Sequence, residues 1–218
     1  MSTTKIPPTA TESPPHILES EASGLTRRML GWVLTIGGLL GGVAAFVLIV
    51  EKVTLLRNPG YLPSCSINPI LSCGSVMTTP QAEVFGFPNP LIGVATFPVV
   101  VTTGILVLAS VQLPRWWWLG LQAGTLFGVG FVHWLFFQSV YRIGALCPYC
   151  MLVWVAAIVV FCYTTLYALH CGHLPIPARW RPGVAAVVRI HTAIPTIWLL
   201  LVAALIGEAF WSYWRTLL

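Results

Sequence analysis

The sequence predicts an all-α membrane protein with five transmembrane helices and a short interfacial helix in the first loop. Three observations lead there. Of 218 residues, 57% are hydrophobic and 8% charged, with a mean hydropathy of +0.85. A soluble domain carries about 25% charged residues, and no soluble core absorbs this much apolar surface. Five apolar runs, at about 29–50, 90–113, 117–139, 149–169 and 193–213, approach the roughly 20 residues that cross a bilayer. Ten Trp suit anchoring at the two membrane interfaces.

Residues 1–24, rich in Thr, Ser, Pro and Glu, read as a disordered cytoplasmic tail ahead of a transmembrane domain over 25–218. The first run is too long for a signal peptide and has no small-residue cleavage site before Glu51, so it reads as a retained anchor. The loop 51–88 carries Cys65 and Cys73 and is broken by Pro63, Pro69, Pro80 and Pro88; 74–85 can form the interfacial helix. Asn89-Pro90 opens the second span as an N-cap followed by Pro at the first helical position. Gly120, Gly124, Gly128 and Gly130 in the third span are expected to permit close helix approach. The fourth span opens at Cys147-Pro148-Tyr149-Cys150.

Orientation follows from the basic residues. With the N-terminus inside, Lys5, Arg27, Arg28, Arg115, Arg179, Arg181 and Arg189 are cytoplasmic, against Lys52, Arg57, Arg142 and Arg215 outside. All four paired cysteines then share the outer face, where disulfides persist. Cys162 lies about 18 Å deeper along the fourth span, and Cys171 falls at its cytoplasmic end. The net charge of +5 is scattered over span ends, without the basic stripe that follows a phosphate backbone.

The two cysteine pairs carry the chemistry. At a helix start, unpaired N–H groups and the macrodipole stabilise a thiolate, and cysteines three apart share a face. Cys147 and Cys150 therefore suit reversible disulfide formation, although two buried thiols or a static disulfide fit the same spacing. Cys65 and Cys73 alone would suit a loop staple worth a few kcal/mol. Two pairs on one side of a membrane suit a relay by thiol–disulfide exchange from a soluble donor to a lipid-dissolved acceptor. Such a relay needs an exposed, mobile loop pair and a fixed CxxC pair beside the acceptor. A zinc site would need all four cysteines reduced, so no metal is expected. Phe85, Phe87, Phe97, Phe136, Phe137 and Trp154 offer an aromatic environment near Cys150, and Asn89 can donate to a carbonyl there or serve only as an N-cap.

Other polar residues read more plainly. His170-Cys171-Gly172-His173 looks like a metal tract but reads as a solvated interfacial loop; His133 reads as packed and hydrogen-bonded; Glu208 lies near enough to the outer interface to reach water. Arg142 is either a neighbour that lowers a thiol pKa or an interfacial Arg.

Three segments in order, Cys65-Ser66-Ile67-Asn68-Pro69-Ile70-Leu71-Ser72-Cys73-Gly74-Ser75-Val76-Met77, Phe85-Gly86-Phe87-Pro88-Asn89-Pro90-Leu91-Ile92-Gly93 and Cys147-Pro148-Tyr149-Cys150, resemble the vitamin K epoxide reductase family, most closely its bacterial quinone-linked branch. The resemblance covers about residues 30–170. It implies a four-helix bundle around a quinone of the menaquinone or ubiquinone class, one peripheral span, and a cap made by the loop. It implies a membrane thiol oxidase of the bacterial inner membrane that reoxidises an extracytoplasmic thioredoxin-fold (DsbA-like) partner and so supports disulfide bond formation. Cys65 would exchange with the partner, Cys73 would attack Cys147, and Cys150 would reduce the quinone. Asn89 would hydrogen-bond a quinone carbonyl, with Thr79 nearby. Trp154 stands where some members carry a Tyr that contacts the quinone. Many members continue into a thioredoxin-like domain, whereas this sequence stops at Leu218, so a separate partner protein is expected. The rival expectations are a membrane scaffold with two static disulfides, or the same relay with a different acceptor.

Overall fold

The computed structural model describes residues 15–174 and 190–215, with 177, 183, 186 and 187 between them; described side chains begin at Arg27. Helix α1 spans Pro15–Arg57. Its first ten residues fall in the stretch read as a disordered tail, and residues 1–14 lie outside the described part. At its other end α1 runs seven residues past Val50, where groups of the loop bond Glu51 Oε1 and Lys52 Nζ.

The expected interfacial helix comes in two pieces, α2 (Cys73–Met77) and a 3-10 turn at Pro80–Glu83. Pro80 explains the break: the residue before a proline is pushed towards extended backbone, and Thr79 has φ −85°, ψ 152°. Next come α3 (Pro90–Leu108) and α4 (Arg115–Phe137), which continues into a π-turn at Gln138–Ile143. They are followed by α5 (Pro148–His170), α6 (Ala193–Ala209) and the short α7 (Trp211–Trp214). Helix α3 stops five residues short of the expected 113, where Ser110 turns the chain with φ 65°.

Among the described residues four helices, Arg27–Arg57, Pro90–Leu108, Arg115–Ile143 and Pro148–His170, are long and apolar enough to cross a membrane. Leu30 and Leu34, Val100 and Val107, Trp118 and Leu121, and Val160 bring all four into one core cluster. The fifth expected span is a shorter apolar helix: α6 has 17 residues, about 25 Å of helix against a hydrocarbon core of about 30 Å. It is fastened to the bundle by Trp198 Nε1, which donates to His133 Nε2 at 2.9 Å. His133 in turn donates from Nδ1 to Val129 O at 2.7 Å, a tautomer assigned from these partners. Phe210, just past α6, packs with Ile70, Val140 and Leu146, so α6 ends at the cysteine end of the bundle.

The closest helix seam is not the expected one. A Cβ on Gly120, Gly124, Gly128 or Gly130 would meet nothing within 4 Å, because α4 contacts its neighbours through Trp118, Leu121, Val132 and Phe136. The tight approach is between α1 and α3, where a Cβ on Gly41 would overlap the Phe97 ring and one on Gly104 the backbone of Thr35. At the far end of the bundle the His170–His173 tract closes α5: His173 stacks on Trp118 at 5.7 Å, and its carbonyl accepts from Arg115 Nε at 3.0 Å. His170, Cys171 and Gly172 are exposed, as a solvated interfacial loop requires, and His173 alone is half-buried against the helix end.

Candidate active site

Cys147 is the N-cap of α5, in extended backbone at φ −107°, ψ 117°, and its sulfur accepts from the Cys150 N–H at 3.4 Å. Pro148 occupies the first helical position, where a missing N–H costs nothing. The residue before Cys147 ties this helix start to the loop. Leu146 N donates to Ile70 O at 2.7 Å and Ser72 N donates to Leu146 O at 2.9 Å, a single parallel bridge between Leu71 and Leu146. Asn68 Oδ1 shapes the approach by accepting from the N–H groups of Ile70 and Leu71. The bridge sets Cys73, at the start of α2, beside Cys147, with their sulfurs 3.0 Å apart. Cys73 is disulfide-bonded to Cys65, with Cα atoms 5.6 Å apart. Cys147 and Cys150 are free thiols.

The structure thus aligns three sulfurs and places the fourth one helical turn on. The sulfurs of Cys65, Cys73 and Cys147 lie within 4.8 Å of one another, a spacing a metal also uses. Two of them share a disulfide, however, and cannot act as thiolate ligands. Cys162, buried within α5, and Cys171, the C-cap of that helix, stay apart from this group.

One expectation fails. The loop pair was to be exposed, yet Cys65 is 4% exposed and Cys73 0%. Two neighbouring residues explain the closure. Ser64 donates from N, at 3.3 Å, and from Oγ to Glu51 Oε1, which holds the arm leading to Cys65 against α1. Lys52 Nζ donates to Met77 O at 2.7 Å and pairs with Glu83 at 2.8 Å, which holds α2 and the 3-10 turn. Glu51 and Lys52 were missed as site residues. The available signal was a charged pair directly abutting an apolar span.

The Cys147 thiol is held below the ordinary cysteine range. The Cys150 thiol beside it is the largest cause; burial opposes the shift, and the N–H groups of Cys150 and Tyr149 add to it. Arg142 is exposed on the π-turn and is not among these causes. In a Cys162→Ala/Cys171→Ala background, the first thiolate seen by ultraviolet absorbance as pH rises should therefore form below the usual value of about 8.5. Cys150→Ala removes the main donor and should move that titration upward. An unmoved curve would contradict the assignment.

Beneath the sulfurs is a cavity of about 150 Å³. Cys150, Asn89, Thr79 and Trp154 all border it, with Phe97, Phe127, Phe131 and Val153 as apolar wall. Asn89 does not cap α3 with its side chain. Its Oδ1 accepts from Val84 N at 3.2 Å and its Nδ2 donates to Gln81 O at 2.7 Å, which stitches the 3-10 turn to the head of α3. Thr79 Oγ1 donates to Val76 O at 2.8 Å. Trp154 is buried, edge-on to Phe136 with centroids 5.4 Å apart. Of the other expected aromatics only Phe97 reaches the cavity; Phe85, Phe87 and Phe137 are exposed. Gln138 and Ser139, on the π-turn, border it without any sequence signal. An apolar chamber with a few polar groups and a thiol in its wall fits a flat, lipid-soluble carbonyl compound.

The model of the vitamin K epoxide reductase family matches residues 32–165, more than half of the chain. The matched stretch contains all four paired cysteines and every residue that lines the cavity. That family consists of oxidoreductases that perform membrane redox chemistry through disulfide relay. Comparison with individual curated proteins finds no match. On the family match, the helical membrane bundle and the cysteines assembled at its end, the chain belongs to the vitamin K epoxide reductase family.

Proposed function

We propose that this protein is a quinone-dependent thiol–disulfide oxidoreductase. In this reading it reoxidises a separate extracytoplasmic thioredoxin-fold partner and passes the electrons to a lipid quinone of the menaquinone or ubiquinone class. It does so from the bacterial cytoplasmic membrane, with the N-terminus cytoplasmic and the cysteines on the outer face. One observation carries the reading: Cys73 lies 3.0 Å from Cys147, and Cys150, one turn on, borders an apolar cavity.

A partner thiolate attacks Cys65 and breaks the Cys65–Cys73 bond, so that Cys73 leaves as a thiolate. The partner's second thiol resolves the mixed disulfide and frees Cys65. The Cys73 thiolate attacks Cys147 of an oxidised Cys147–Cys150 pair, which releases Cys150 as a thiolate at the cavity wall. Cys65 then attacks Cys73, restoring Cys65–Cys73 and leaving Cys147 and Cys150 as the reduced pair, the state found in the structure. A quinone in the cavity accepts two electrons and two protons from that dithiol, and the Cys147–Cys150 disulfide reforms. Asn89 Nδ2 carries a second N–H beyond the one given to Gln81, which suits a carbonyl. Thr79 and Trp154 border the same space.

Purified protein supplied with a reduced thioredoxin-fold protein and ubiquinone, menaquinone or vitamin K quinone should reduce at least one of them in a cysteine-dependent manner. Absence of turnover with all three would sink the proposal. Turnover ranked among the three identifies the quinone class.

A further inference from the structure

Among the described residues bordering the cavity, Lys52 is the only charged one. It lies on the apolar helix α1 and is 7% exposed. A cation in such a place is costly unless paired, and ionisable groups within membrane segments are rare and tied to function. The ammonium has three N–H donors. Met77 O takes one at 2.7 Å and Glu83 Oε1 takes another at 2.8 Å. The Glu83 side chain is 40% exposed, so the ion pair runs from solvent to the cavity wall. Those two bonds suffice to tie α1 to the cap. They do not use the third donor, and they do not account for a charge beside the chamber that Cys150 also borders.

We propose that Lys52 is an acceptor-site residue. Its ammonium donates a charge-assisted hydrogen bond to a carbonyl oxygen of the electron acceptor and stabilises the negative charge that gathers there during electron transfer. The inference rests on the proposed quinone reading. In that step the Cys147–Cys150 bond forms and two S–H bonds are lost, and the acceptor carries away both electrons and both protons. Lys52 supplies no net proton to that step. A fixed donor aimed at developing charge in a water-excluded site acts mainly on the rate.

The test uses the full chain in nanodiscs, with Cys147 and Cys150 reduced by a small dithiol and then mixed with a short-chain quinone. Thiol trapping follows a single reoxidation of the pair. Quinone binding is read separately, as tryptophan fluorescence quenching in a Cys150→Ser background that cannot turn over. Lys52→Met should slow reoxidation by about 100-fold and weaken binding by about tenfold. Lys52→Arg, which keeps the charge and the donors, should restore most of both. Formation of the Cys73–Cys147 disulfide in Cys65→Ser/Cys150→Ser, with added diamide as the oxidant, should be unaffected by Lys52→Met, which reports that the cap is in place. Unchanged rate and binding in Lys52→Met would overturn the proposal. So would a loss that Arg does not rescue and that accompanies failure to form Cys73–Cys147, since Lys52 would then be a structural tie. A wild-type chain that neither binds nor is reoxidised by any quinone would overturn both this inference and the proposed function, whereas an active wild type with an unaffected Lys52→Met overturns the inference alone.

Discussion

Cys150→Ser should abolish acceptor reduction, by at least about a thousandfold, and should shift the chain towards a Cys73–Cys147 disulfide. Of the four paired cysteines, only Cys150 borders the cavity, so the substitution removes the sulfur that faces it while a hydroxyl keeps the wall nearly unchanged. Cys147 remains, with its sulfur 3.0 Å from that of Cys73 and the N–H groups of residue 150 and Tyr149 still favouring its thiolate. It has also lost its own resolving partner. Attack of Cys147 on Cys73 breaks one S–S bond and makes another, releasing Cys65 as a thiol, so the interchange needs no oxidant. Alkylation followed by non-reducing peptide mapping should find Cys65 alkylated and Cys73 linked to Cys147 in a substantial fraction of molecules. Surviving acceptor reduction would show that another group feeds the cavity. A map with Cys65–Cys73 alone would mean that the 3.0 Å approach does not lie on the exchange path.

The helices and the chemistry of the cysteines were legible because both are local. Apolar runs of span length mark α1, α3, α4 and α5, and Cys147-Pro148 marks the start of α5 through the residue types that suit a helix N-terminus. The tertiary arrangement was less legible because it depends on distant partners. Cys73 and Cys147 are 74 residues apart in sequence and are aligned by backbone bonds through Leu146, whose side chain carries no trace of that pairing. The burial of Cys65 follows from Ser64 meeting Glu51, a contact that no periodicity encodes. The glycines of α4 show the same limit from the other side. Small residues reveal where a helix can approach closely, but only the packing decides which faces are used, and here α1 and α3 use theirs. Asn89 was legible by position, as the residue before Pro90, while its side chain turned back to Gln81 and Val84 rather than capping the helix. The sequence places Lys52 only among the outer basic residues, because its partners, Met77 O and Glu83, arrive from a loop whose path it leaves open.

Cys65→Ser should eliminate oxidation of a reduced thioredoxin-fold protein while leaving quinone reduction driven by a small dithiol close to that of the unaltered chain. The reason is access. Cys73 and Cys147 are 0% and 1% exposed, so a protein thiol cannot reach either of them without unpacking the bridge at Leu71 and Leu146. Cys65 is also buried, but it sits at the end of an arm held by the Glu51 carboxylate, whose second oxygen has no hydrogen-bond partner among the described residues. Attack by a protein thiol at Cys65 then requires this arm to lift while Cys73 keeps its place at the bridge. Near Cys65, Leu62 and Ile67 are 76% and 70% exposed, apolar surface that the proposed partner would meet on approaching the disulfide. A small dithiol needs none of this, because Cys150 is only half-buried and faces the cavity. Parallel assays with the two donors separate the cases. Partner oxidation that survives Cys65→Ser would place the entry point at Cys147–Cys150 itself. Loss of turnover with both donors would mean that the Cys65–Cys73 bond holds the site together rather than admitting electrons to it.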